Sequence, residues 1–153
     1  MKIAIIVYSR TGHTLSVAQK IQEKLAEKDH LAHIEQVTIT GEASPGKFEI
    51  TGKPAVDDYD ALIFGAPVQA FSLCTVMDAY LRELPSLVGK KAAFLVTKQL
   101  PFAWTGGNRA IKSMRTICED KGAQTLGAGI ACWKEEKREQ SVDECVEKIA
   151  WLF

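Results

Sequence analysis

Hydrophobic positions along this chain follow two alternating rhythms. The stretches 3–7, 61–65 and 92–97 are almost continuously apolar. That is the pattern of parallel strands covered by helices on both faces. Residues 33–39 alternate more and predict an edge strand, while the small apolar run 126–132 predicts a last strand. Between these lie stripes at helical spacing. Val17, Ala18, Ile21 and Leu25 share one face of a first helix. Leu73, Met77, Tyr80, Leu81 and Leu84 define a second, ended by Pro85. Ala110, Ile111, Met114, Ile117 and Cys118 define a third, with Gly122 as its stop, and Val142, Cys145, Val146 and Ile149 a fourth. Residues 40–60 form the one long irregular stretch. Pro45, Gly46, Gly52 and Pro54 are expected to prevent regular structure there, leaving the chain to wrap the surface.

Strands and helices in this alternation predict an α/β fold, a doubly wound five-stranded parallel sheet between two helix layers with strand order 2-1-3-4-5. One domain is expected over residues 1–153, with no repeat, linker or low-complexity tail. In such a sheet a ligand binds at the carboxyl ends of the strands where the winding direction switches. Three loops should therefore meet: 9–14, 66–72 and 98–108.

Composition narrows the classes available. The 153 residues are 46% hydrophobic and 25% charged, as in a soluble globular protein. No apolar run reaches membrane-span length, and the apolar stretch after Met1 is too short for a signal peptide, so a cytoplasmic location is expected. Nineteen basic residues balance nineteen acidic ones, which favours neither nucleic acid nor an anionic membrane surface as partner. Cys74, Cys118, Cys132 and Cys145 show no metal-ligand or CxxC spacing. Cys118 and Cys145 fall on apolar helix faces and read as buried thiols.

The first loop, Ser9-Arg10-Thr11-Gly12-His13-Thr14, runs from the first strand into a helix N-terminus. Free backbone N–H groups and the positive end of the helix dipole there attract an anion. The hydroxyls of Ser9, Thr11 and Thr14 add donors, and Gly12 allows close backbone approach. Capping of the helix by Ser9 or Thr11 is the plainer use of the same residues. Arg10 either borders the anion or is a solvated turn residue. His13 occupies the first helical turn, and no catalytic role is assigned to it.

This loop resembles the phosphate-binding loop of the flavodoxin family, [ST]-x-T-G-x-T, which Ser9, Thr11, Gly12 and Thr14 match position for position. The second loop, Gly65-Ala66-Pro67-Val68-Gln69-Ala70-Phe71-Ser72, is similar to the G-[ST]-P-x-x-x-G stretch that packs on the flavin ring in flavodoxin-like reductases. It departs from that stretch in placing Ala70 and Phe71 where those proteins often have an aromatic and then a glycine. Ser72 reads as a helix N-cap. In the third loop, Ala103-Trp104-Thr105-Gly106 resembles a G-W-[GS]-G element of FMN domains.

The resemblance covers the whole chain, is of the short-chain flavodoxin or FMN-dependent reductase type, and implies a flavodoxin-like fold holding non-covalent FMN. The implied cofactor residues are Ser9, Arg10, Thr11, Gly12, His13 and Thr14 for the phosphate. Pro67, Val68, Gln69, Ala70 and Phe71 follow for one side of the ring. Thr97, Lys98, Gln99, Phe102, Trp104, Gly106 and Gly107 complete the set, with Trp104 stacking on the ring and Phe102 second choice for that role. No side chain is assigned as a proton donor and no metal is implied.

Other phosphate readings lack their required residues. There is no G-x4-G-K-[ST] and no G-x-G-x-x-G after the first strand. Tyr8 and Gly65 stand where a response regulator needs acidic residues. The C-x5-R spacing of Cys132 and Arg138 encloses Glu135 and Glu136, which would repel a phosphate.

The function implied is electron transfer between redox partner proteins. An NAD(P)H-dependent reductase of FMN or quinones is the alternative, and a flavin-free interaction domain a third. The chain's neutrality and the missing loop glycine bear against a one-electron carrier; its shortness and the lack of an evident nicotinamide-binding element bear against the reductase. Monomer and homodimer are both compatible with the sequence.

Overall fold

The computed structural model of the chain describes residues 1–99, 105–134 and 138–153. Five strands run parallel: β1 (Lys2–Val7), β2 (Leu31–Gln36), β5 (Ala61–Gln69), β7 (Lys91–Lys98) and β8 (Gln124–Cys132). Their spatial order is β2-β1-β5-β7-β8, which is the expected 2-1-3-4-5 winding counted over these five strands. Crossovers are made by α1 (His13–Glu27), α2 (Thr75–Glu83) and α3 (Gly107–Asp120), and α4 (Arg138–Trp151) follows the last strand.

The continuity of the apolar runs has a direct cause. Along β1, Ile3, Ile5 and Val7 enter the core under α1 and α4, whereas Ala4 and Ile6 enter the core under α2 and α3. The same split places Ile63 and Leu95 on one face and Phe64 and Phe94 on the other. Successive side chains of a strand point to opposite faces, so a strand buried on both sides needs an apolar residue at every position. Each large side chain so buried contributes about 1.5–3 kcal/mol relative to exposure.

The expected helical stripes are the buried faces: Val17, Ala18, Ile21 and Leu25 in α1, and Val142, Cys145, Val146 and Ile149 in α4. α2 is shorter than its stripe. Leu73 belongs to the two-residue strand β6 (Ser72–Leu73), and Leu84 is extended (φ −65, ψ 147) as the residue before Pro85 must be. α3 ends at Asp120 with Lys121 as its C-cap, followed by Gly122 at φ 97.

Expectations on two stretches of the chain, 33–60 and the loop after Gly65, are corrected. Residues 40–60 are not irregular throughout, and 33–39 are not one strand. After β2 the chain begins a hairpin of β3 (Thr38–Gly41) and β4 (Phe48–Gly52), paired antiparallel as a separate two-stranded sheet. Pro45 and Gly46 lie in its connection rather than breaking it. The hairpin holds because Ile39, Phe48 and Ile50 pack on the α2–α3 core while Glu49 and Thr51 face solvent. That is a period-two alternation too short to stand out among turn residues.

The second correction concerns the stretch after Gly65. β5 continues to Gln69, turns through Ala70 and Phe71, and pairs back onto itself as β6, with Val68 opposite Leu73 and Gln69 opposite Ser72. Ser72 is therefore a strand residue, and the N-cap of α2 is Cys74. Ala70 (φ 49) and Phe71 (φ 61) are both left-handed, the signature of a type I′ hairpin turn. L residues adopt this conformation at a cost of about 1 kcal/mol or more each.

Three thiols are buried, and burial pushes Cys74 up to about 11 and Cys118 and Cys145 up to about 12 from the ordinary 9.0. A thiol raised on folding favours the folded state below its unfolded pKa and loses that contribution as pH rises toward the folded value. Thermal stability is therefore expected to hold below pH 9 and to fall between pH 9 and 12. In a thiol-labelling time course on the native protein, the half-buried Cys132 should react first. Equal labelling of all four cysteines would contradict this packing.

Candidate functional site

At the carboxyl ends of β1, β5 and β7 the chain forms a cleft of about 290 Å³, lined by Arg10, Thr11, His13, Thr14, Pro67, Val68, Gln69, Thr97, Lys98 and Gln99. This volume sits at the low end of small-molecule sites, roughly 300–1,000 Å³. Each of the three expected loops contributes. Arg10 and Lys98 are cationic and no carboxylate is among the lining residues, so the cleft favours an anion.

The first loop owes its shape to Ser9 and Gly12. Ser9 Oγ accepts hydrogen bonds from the Gly12 N–H at 3.1 Å and the Leu15 N–H at 3.4 Å. Gly12 caps α1 in a left-handed conformation (φ 87), with open space where a Cβ would stand. The amides of Thr11, His13 and Thr14 are left without an acceptor among the described residues. Orphan amides at a helix start, beside an exposed Thr11 hydroxyl, form an anion cradle.

Thr14 is placed differently from Thr11. It is 1% exposed, and its hydroxyl shares a 2.8 Å hydrogen bond with the hydroxyl of Thr97, itself 3% exposed. This bond joins the first turn of α1 to the end of β7 at the cleft. Thr14→Val keeps the shape but orphans the Thr97 hydroxyl, and should destabilise the protein by about 1–3 kcal/mol, read as a shift in urea midpoint. An unchanged midpoint would contradict the bond.

His13 lines the cleft and has partners that sequence reasoning missed. Its ring stacks on Trp133, with centroids 4.2 Å apart and planes 15° apart, and its Nδ1 lies 3.3 Å from Gln99 Nε2. Arg138 lies over the same indole, 5.7 Å from the centroid. Trp133 follows β8 directly, and its N–H donates to the Lys98 carbonyl at 2.7 Å. A lone tryptophan at the carboxyl end of the last strand was the available signal. Beside the cleft, burial raises the Tyr8 phenol above its ordinary pKa, and the Arg10 guanidinium opposes the shift.

On the second loop, Pro67, Val68 and Gln69 line the cleft, whereas Ala70 and Phe71 form the adjoining turn, with Phe71 49% exposed. The Gln69 amide is used within the protein: Nε2 donates to the Ala43 carbonyl at 2.6 Å and Oε1 accepts from the Thr75 N–H at 3.2 Å. On the third loop, Thr97, Lys98 and Gln99 line the cleft. Lys98 Nζ donates to Thr105 Oγ1 at 3.4 Å. Gly106 caps α3 and Gly107 begins it; both are buried. Phe102 and Trp104 lie outside the described residues.

The fold is flavodoxin-like. Flavodoxin 1 from Bacillus cereus superposes with a TM-score of 0.73 over 99% of this chain and 97% of its own, at 20% identity. The flavodoxin of Streptococcus pneumoniae superposes at 0.68 over 100% of both chains, at 17% identity. The two-electron reduced flavodoxin of Megasphaera elsdenii superposes at 0.66 over 95% of this chain and 98% of its own, at 19% identity.

Among curated proteins, the NAD(P)H quinone oxidoreductase YCP4 of Candida albicans is 34% identical over 79 residues, which cover 45% of this chain and 27% of that protein. The match thus spans about a quarter of the relative's length. No family model matches the chain. No helix among the described residues is long and apolar enough to cross a membrane.

Proposed function

We propose that the cleft binds one molecule of flavin mononucleotide non-covalently and that the protein transfers electrons between redox partners through it. The observation carrying this reading is the cradle of three orphan amides at Thr11, His13 and Thr14, opening into a cleft bounded by the ends of β5 and β7. A phosphate fits the cradle by chemistry: N–H and O–H donors, a helix N-terminus and Arg10, with no carboxylate among the lining residues.

The residues divide the work. The amides of the first loop and the Ser9 and Thr11 hydroxyls would bind the phosphate. The strand ends 67–69 and 97–99 would flank the ring, with Lys98 favouring an anionic reduced form. Bound there, the flavin supplies the redox chemistry, and the chain supplies position and field. Lying outside the described residues, Phe102 and Trp104 stay assigned to the ring side on the resemblance alone. A cytoplasmic setting suits this use.

The match to a quinone oxidoreductase favours a second reading, an NAD(P)H-dependent reductase of quinones or flavin. Stopped-flow mixing of the FMN-loaded protein with NADH or NADPH, then with a quinone, separates the two. A carrier is reduced slowly by the nicotinamide and rapidly by a protein donor. Fast, saturable reduction by NADH or NADPH would replace the carrier with the reductase.

A further inference from the structure

The turn joining β5 to β6 is formed by two residues that carry a Cβ, Ala70 and Phe71, and both are left-handed, with φ 49 and φ 61. A turn in this state persists only when its surroundings hold it, and here it is held from two sides. On one side Gln69 ties it to the β3–β4 hairpin and to the start of α2, through the Ala43 carbonyl at 2.6 Å and the Thr75 N–H at 3.2 Å. The Ser72 hydroxyl closes the turn by donating to the Gln69 carbonyl at 3.4 Å. On the other side Gly106 presses its backbone so close that a Cβ there would overlap the Phe71 carbonyl carbon and oxygen. Gly106 is itself left-handed (φ 102) and caps α3. The residue before the turn is thus tied to the hairpin and to α2, and the backbone at the start of α3 lies against Phe71, at the edge of the cleft.

We propose that Gln69 and Gly106 are positioning residues that lock the Ala70–Phe71 turn into a fixed wall for the ring end of the cofactor. The proposal rests on the flavin reading of the cleft. A wall held in this way is formed before the ligand arrives, so binding spends no free energy on ordering it. It also presents the same surface to the flavin before and after the ring takes up electrons. The β3–β4 hairpin thereby acquires a role in the site, although Gln69 is its only hydrogen-bonded link to the turn among the described residues.

The test uses Gly106→Ala, which forces a Cβ against the turn from outside the cleft lining, and Gln69→Met, which keeps the side-chain length and removes both hydrogen bonds. Chymotrypsin cleavage after Phe71, located by mass, is followed on the flavin-free protein. FMN affinity is measured by titration, and inorganic phosphate affinity by its competition with FMN. The wild type should resist cleavage at Phe71 although that side chain is 49% exposed. Both variants should be cut there faster and bind FMN about three- to tenfold more weakly, because part of the binding free energy is then spent on ordering the wall. Phosphate affinity should stay unchanged, whereas general loosening of the fold would lower it as well. Should Gly106→Ala not fold, Gln69→Met carries the test through its cleavage rate, which reports the lock apart from any direct contact of Gln69, a cleft-lining residue, with the ring. Equal cleavage of wild type and variants would overturn the lock, and faster cleavage with unchanged FMN affinity would overturn the positioning role. A wild type that does not bind FMN would sink the cofactor reading and the positioning role together, while cleavage would still report on the lock.

Discussion

Replacing Thr11 with glutamate should abolish FMN binding and leave the fold intact. Thr11 is exposed on the β1–α1 loop and lines the cleft, next to the orphan amides that would receive the phosphate. A carboxylate there occupies the cradle with the protein's own negative charge and repels an incoming phosphate dianion. Hydrogen bonds to a charged group are each worth about 1.5–3 kcal/mol, so displacing several should raise the dissociation constant by more than about a hundredfold. Because the position is solvent-exposed, stability should change by no more than about 0.5 kcal/mol. Flavin fluorescence titration and a thermal melt on the same sample check both halves. An unchanged dissociation constant would remove the phosphate from this loop.

Phe94→Ala should have the largest effect on stability. Phe94 is fully buried in the middle of β7 and stacks with Phe64 of β5, with ring centroids 6.4 Å apart and planes 19° apart. Truncation removes this contact and leaves a cavity between the sheet and the α2–α3 layer. The expected cost is about 3–5 kcal/mol. For a chain of this size that corresponds to a fall in Tm of about 6–20 °C. A loss below about 1 kcal/mol would mean that the layer closes over the gap and is not packed as described.

The parts of the fold legible in the sequence are those where burial forces a periodicity. β1, β5 and β7 are readable because their alternate residues feed two different cores, and the helices because each buries one stripe. The β3–β4 hairpin was hidden by Pro45, Gly46 and Gly52, whose turn chemistry is real but confined to the ends and connection of short strands. The Ala70–Phe71 turn carried no local signal, since neither residue prefers the left-handed conformation; tertiary contacts from Gln69 and Gly106 impose it.

The candidate site divides in the same way. The loop from Ser9 to Thr14 is a contiguous motif, so its place between β1 and the start of α1 was readable. The bond from Thr14 to Thr97 and the stack of His13 on Trp133 join residues far apart in the chain. Only the winding of the sheet brings these partners together. Ser9 illustrates the overlap of roles: it was a candidate for the phosphate and for helix capping, and its oxygen accepts the Gly12 amide of the loop and the Leu15 amide of α1 while its hydroxyl hydrogen remains to be donated.

The most direct test of the central claim is an equilibrium titration of the flavin-free protein with FMN, followed by flavin fluorescence and by competition with inorganic phosphate and riboflavin. Saturable binding of one FMN per chain is expected, with phosphate competing and with riboflavin, which lacks the phosphate, binding far more weakly. Absence of saturable FMN binding, or equal affinity for riboflavin and FMN, would contradict the account.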